Sequence, residues 1–123
     1  MGLDMYAFSV ERDETRAPVD FKLGDNAIQF HYWRKHPNLH GWMQQLYEAK
    51  GGSNPDFNCD PLILNIEDID ALEAAIKGEA LPETHGFFFG ETTGEEKEDD
   101  LDFIRKAREI IAEGRDVVYD SWW

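Results

Sequence analysis

Three stretches of this chain place apolar residues at helical spacing along one side only, and each is closed by glycine. Leu39, Trp42, Met43, Leu46 and Tyr47 recur at i, i+3, i+4, i+7 and i+8, ahead of Gly51 and Gly52. Ile69, Leu72 and Ile76 repeat the pattern ahead of Gly78, and Phe103, Ile104, Ala107, Ile110 and Ile111 repeat it ahead of Gly114. A one-sided helix has to bury its stripe against something, and short strands supply that surface. The helix starts agree with the stripes. Pro37 suits a first helical position, because its missing N–H would have no partner there. Asn65 with Asp68 three residues on, and Thr93 with Glu96, fit capping boxes. Acids crowd the run "ETTGEEKEDD" from 91 to 100, where they favour the positive end of the third helix dipole.

The intervening segments read as strands. In "LDMYAFSV", residues 3 to 10, Leu3, Met5 and Ala7 fall on one side and Asp4, Tyr6, Phe8 and Val10 on the other. Both sides are largely apolar, which predicts a central strand. "AIQFHYWR", residues 27 to 34, sends Ile28, Phe30 and Tyr32 one way and Gln29, His31 and Trp33 the other. "PLILN" (61–65), "GFFFG" (86–90) and the final "DVVYDSWW" complete the set, and residues 11 to 26 read as a loop. The order is β-β-α-β-α-β-α-β, with no repeat and no linker. The expectation is a single α+β domain over residues 1–123: a small mixed or antiparallel sheet of about five strands covered by three helices.

Charge narrows the partners. Twelve basic residues against 26 acidic ones give a net charge of −14. A surface of that sign repels phosphates and anionic lipid, so nucleic acid is an unfavourable partner unless a basic patch is concentrated. The two candidate patches, Arg34–Lys35 and Arg105–Lys106–Arg108, are small. A rival reading of the same charge is a DNA mimic, whose carboxylates would have to stand at phosphate-like intervals. The single cysteine, Cys59, allows no disulfide within the chain, and its neighbours Asp56 and Asp60 oppose thiolate formation. The opening residues lack a basic signal-peptide region, and no apolar run approaches the roughly 20 residues of a membrane span. A cytoplasmic location without membrane contact is expected.

The stretch "FHYWRKHPNLHGWM", residues 30 to 43, concentrates what chemistry the chain offers. It holds three of the four histidines and two of the four tryptophans. His36 and His40 are four apart, a spacing that can place two imidazoles on one helix face for a metal. His31, His85, Asp4 or Asp120 would have to supply a third ligand. The stronger His-Glu-x-x-His pattern is absent, and His36 also stands where an N-cap would bond a backbone amide. Arg34 and Lys35, just before a helix N-terminus with His40 one turn on, form the best anion-binding candidate. Against it stands pairing with the chain's own carboxylates. No phosphate loop, Rossmann glycine pattern or nucleophile elbow is present. No cofactor or metal is expected.

Four segments taken together carry a resemblance. "MGLDMY", "YWRKHPNLHGW", "GFFFG" and "YDSWW" resemble, in order over nearly the whole chain, a family of small bacteriophage and bacterial proteins. Those proteins open MGLDMY, carry YWRK before a helix and have an FFFG strand late in the chain. The resemblance implies an accessory protein of a phage or mobile element rather than a particular activity. A kinase label attached to some relatives does not suit a chain of this size without a phosphate loop.

Three expectations follow. The leading one is a non-enzymatic module that binds a protein partner, or a second copy of itself as a homodimer, through aromatic strand surfaces. Its candidate interface is Phe87, Phe88, Phe89, Trp122 and Trp123. The second is a metal- or anion-dependent enzyme or ligand-binding protein whose pocket collects Asp4, His31, Arg34, Lys35, His36, His40 and His85. The third is the acidic DNA mimic. The pocket needs the histidines to converge in a cleft. The module needs them dispersed or paired with carboxylates, beside an exposed aromatic patch.

Overall fold

The computed structural model describes residues 2–82, 84 and 96–123. Among them are four strands and three helices, in the order β1 (Asp4–Glu11), β2 (Ile28–Arg34), α1 (Pro37–Ala49), β3 (Leu62–Leu64), α2 (Ile66–Lys77), α3 (Lys97–Ala112) and β4 (Arg115–Trp122). The strands form one antiparallel sheet in the order β2-β1-β4-β3. This is the expected α+β class, with four strands where about five were expected. The strand read over 86–90 lies outside the described residues. Beyond β3 a single bridge joins Val19 to Leu62, so part of the presumed loop lies along the sheet edge. Ile63 N–H donates to Pro18 and Asp20 N–H to Pro61 across that bridge.

β1 is central, as its two apolar sides predict. Its inward residues Met5 and Ala7 meet Trp33 and His31 of β2, and Ala7 also meets Tyr119 of β4. The helical stripes close over that side: Leu39, Met43 and Tyr47 from α1, Ile69, Leu72 and Ile76 from α2, Phe103, Ile104 and Ala107 from α3. Their burial is the main stabilising term, at roughly 1.5–3 kcal/mol for each large side chain.

The helix ends follow the local chemistry. Pro37 opens α1. Asn65 and Asp68 form the reciprocal capping box of α2. Gly51 and Gly114 take left-handed φ angles just past α1 and α3. α3 begins at Lys97, and Thr93 of the box expected there lies outside the described residues. Lys50 ties three elements together, donating to the Ile63 carbonyl of β3 and to Asp68 at the start of α2.

One correction concerns β2. Simple alternation puts Phe30 beside Tyr32. The register instead slips by one residue between Ala7 and Phe8, which face His31 and Gln29. Phe30 is the extra residue of a β-bulge. Its ring stacks on Phe103 of α3 at 5.8 Å, while Tyr32 faces the other way, 5.4 Å from Tyr6.

Gly52 supports a specific packing test. A Cβ there would lie 2.3 Å from the Tyr47 ring. That ring cannot swing away, because its hydroxyl donates to Asp20 at 2.5 Å and accepts from Asn54 N–H at 3.0 Å. Gly52→Ala is expected to cost about 1–3 kcal/mol by overpacking. Gly24→Ala, with nothing within 4 Å, should be neutral or stabilise by up to about 1 kcal/mol. Urea unfolding of the two variants checks the contrast.

Candidate functional site

Each described histidine of the 30–43 stretch is buried and engaged. His31 projects from β2 under α3. Its Nε2–H donates to Asp99 at 3.1 Å, and Lys106 lies 3.4 Å from Nδ1. His36 is the residue before α1. In place of capping the helix backbone, its ring donates Nε2–H to Asp100 Oδ2 at 2.8 Å. The other oxygen of Asp100 accepts Trp33 Nε1–H at 3.1 Å. His40, inside α1, accepts at Nδ1 from the Tyr119 hydroxyl of β4 at 2.6 Å. Phe57 stacks on the same imidazole at 5.0 Å. Burial holds the His40 pKa down at about 4, so the ring is neutral near pH 7.

These contacts connect β2 and the start of α1 to the first turn of α3, and α1 to β4. His31, His36 and His40 therefore address three different partners rather than one cleft. Among the described residues no group of three or more His, Cys, Asp or Glu side chains is arranged to hold a metal ion. His85 lies outside the described residues.

The basic candidates meet the chain's own acids. Arg34 Nε is 3.8 Å from Asp4, which also accepts the Tyr32 hydroxyl at 2.5 Å. Lys35 is exposed and turns the chain toward α1 with a φ of 54°, its N–H bonded to Leu3. Arg105 bridges Asp102 and Glu109, Lys106 reaches Asp102, and Arg108 clamps Asp70 and Glu73 of α2. Arg108 pulls the Glu73 carboxyl down to about 2. The patch on α3 is thus laced into ion pairs, while in the other only Arg34 stands by a carboxylate among the described residues.

The opposite side of the sheet carries no helix among the described elements. At one end Val10 and Val118 are buried, and the segment after β1 lies there. Arg12 and Arg16 reach Asp116, and the Arg16 guanidinium stands over Phe21. The other end is open. Tyr32 is 45% and Trp122 67% exposed. Tyr6 links Phe8, at 6.2 Å, to Tyr32 in a row of rings across β1 and β2. In the register Tyr6 faces Asp120 and Asp4 faces Trp122, so two carboxylates stand among the aromatics. Of the two described residues of the candidate interface, Trp122 is open. Trp123 packs against the core and donates Nε1–H to the Phe57 carbonyl, and Phe87, Phe88 and Phe89 lie outside the described residues.

Asp120 is the unusual acid of this face. It accepts the Ser121 N–H, and among the described residues no cation lies within ion-pair distance. Burial, and Asp60 after it, raise its pKa to about 6. Burial, then Asp120 and Asp60, push the nearby Cys59 thiol up, away from the reactive thiolate.

Two groups thus oppose each other in acid. His40 binds its proton only when unfolded between about pH 6.5 and 4, so its contribution to stability is lost as pH falls through that window. Asp120 binds its proton preferentially when folded between about pH 4 and 6, so its contribution is lost as pH rises through that range. Asp120→Asn is expected to be more stable than the parent at pH 7.5, by about 1–2 kcal/mol after allowance for solvent screening. The gain should vanish by about pH 4. Urea midpoints at both pH values check it; a variant less stable at pH 7.5 would contradict it.

Sequence reasoning found the histidines but not their partners Asp99, Asp100 and Tyr119. It also missed the row in which half-buried Tyr6 and Phe8 lead to the exposed Tyr32. The signal for the row was present: the second apolar side of β1 needs cover of its own, and the three helical stripes of the described residues all lie on the first side.

Comparison with protein-family models, curated proteins and solved structures finds no match to this chain. No helix among the described residues is long and apolar enough to cross a membrane.

Proposed function

We propose that this chain is a non-enzymatic protein-interaction module, an accessory protein of the phage type its sequence resembles, that binds its partner through the open aromatic end of its sheet. The observation that carries this reading is the division of labour between the two sides. Of the residues that could have formed a pocket, His31, His36, His40 and Arg34 are paired with Asp99, Asp100, Tyr119 and Asp4. The open side instead presents the half-buried rings of Tyr6 and Phe8 in a row with the exposed Tyr32, and the exposed Trp122 beside them on β4. Exposed aromatics of this kind suit a partner's surface better than a small-molecule cleft, which would need concavity and convergent polar groups.

Thermal unfolding of chelator-treated protein, with zinc, nickel, manganese, phosphate and nucleotides added in turn, tests the reading. A ligand at about 100 times its Kd adds roughly 2.7 kcal/mol, a rise on the order of 10 °C for a domain of this size. The expected result is a midpoint unchanged across the panel. A metal-specific rise abolished by His40→Ala, or an anion-specific rise abolished by Arg34→Ala, would overturn the module in favour of a ligand pocket.

A further inference from the structure

The open end of the sheet has a charge as well as a shape, and that charge selects among partners. We infer that this face takes a basic, arginine-bearing segment of a partner protein, with a guanidinium lodged against the Asp120 carboxylate between the rings of Tyr6 and Trp122. The inference rests on the interaction-module reading and adds the partner's chemistry to it.

Geometry supplies the first argument. Tyr6 and Asp120 are directly opposed in the β1–β4 register, and Trp122 lies two residues along the same side of β4. Opposed side chains on a sheet stand about 5 Å apart, and next neighbours along one side about 7 Å. A planar guanidinium fits that spacing. It can stack on a tyrosine or tryptophan face while its fork of donors reaches a carboxylate, which a single ammonium point charge does less well.

Charge complementarity supplies the second. The carboxylates Asp4 and Asp120 stand at the open end, Asp60 adds to the negative charge around Asp120, and the guanidinium of Arg34 stands by Asp4. Asp120 is part-buried with no cation beside it among the described residues. An acidic or wholly apolar partner would bury that charge without compensation, at a cost of several kcal/mol. A second copy of this chain is disfavoured for the same reason: it brings another −14 and sets the same acids against each other. A cation from a basic segment meets the need that each of these leaves open.

The test compares a short fluorescein-labelled arginine-rich peptide with the same peptide carrying neutral citrulline at every arginine, by anisotropy at physiological salt. Asp120→Asn and Trp122→Ala are the informative variants. Both positions lie at the sheet surface, and melting curves confirm that the variants fold. Glu67→Gln, an exposed acid on α2, removes the same charge on the helical side. The expected result is binding of the arginine peptide that weakens about tenfold or more with citrulline, with Asp120→Asn and with Trp122→Ala. Glu67→Gln should change it by less than about twofold. Equal losses for Asp120→Asn and Glu67→Gln would mean diffuse attraction to an acidic protein and would overturn the inference. So would the absence of binding, or a dimer in sedimentation that Trp122→Ala dissolves. Binding that falls with Trp122→Ala but ignores Asp120→Asn and citrulline would also overturn it, yet leave the aromatic face as the interaction surface. The module reading itself fails separately, through the metal or anion response described above.

Discussion

Asp100→Ala is expected to lower the free energy of unfolding by about 3–5 kcal/mol, since it strips the acceptor from two buried donors at about 1–3 kcal/mol each. Asp100 sits in the first turn of α3 with almost no exposure and joins three elements through two oxygens. Oδ1 takes the Trp33 indole N–H from β2, and Oδ2 takes the His36 imidazole N–H at the start of α1. Deleting the carboxylate leaves both donors buried without their acceptor and removes a favourable charge from a helix N-terminus. Asp100→Asn keeps the shape and one acceptor, so its cost should be smaller, about 1.5–3 kcal/mol. Urea unfolding near pH 7 measures both. A loss under about 1 kcal/mol for Asp100→Ala would mean the two donors find other partners, and the carboxylate would not be the joint described here.

Phe103→Ala should be comparably severe, at about 3–5 kcal/mol. Its ring is fully buried where α3 crosses the sheet. It meets Trp33 edge-on at 4.7 Å, stacks with Phe30 at 5.8 Å and touches His31 at 5.6 Å. The void would open beneath the bulge in β2, among large flat rings that cannot close over it without leaving their hydrogen bonds to Asp99 and Asp100. Truncation of the exposed Ile66 to alanine should stay within about 0.5 kcal/mol. Denaturant midpoints of the two variants check the contrast, with an unchanged m-value showing that both still unfold as the same unit. Similar losses at both positions would contradict the assignment of the core.

The two predictions also mark what was legible in the sequence. Helical stripes, the proline start of α1, the Asn65–Asp68 box and the glycines after α1 and α3 are local signals, and each specifies its element within a few residues. The central place of β1 follows from its two apolar sides. The histidine pairs are a different kind of fact. His31, His36 and Trp33 find their acids more than 60 residues away, and no local rule reports that distance. One signal was nonetheless there. Asp100 stands at i relative to Phe103, Ile104 and Ala107 at i+3, i+4 and i+7, so it occupies the buried stripe of α3. Read as one more acid near the helix dipole it looks solvated. Read by periodicity it is a buried carboxylate in need of donors, and the indole and imidazole of the 30–43 stretch are the donors that reach it. The bulge at Phe30 was not legible, because register depends on how β2 meets β1 and α3 together. The edge bridge at Val19 was hidden for a similar reason: one paired residue inside a polar segment carries no pattern.

This view places the conspicuous stretch in the architecture and the function on the far side of the sheet. Mapping backbone amide resonances while the arginine-rich peptide is titrated tests that division most directly. The account predicts shifts concentrated at residues 4 to 8, at Tyr32 and at residues 118 to 122, with the amides of His36, His40 and Asp100 unmoved. Shifts centred on residues 36 to 40 and 99 to 106, with the open end of the sheet silent, would contradict it and return the function to the histidines.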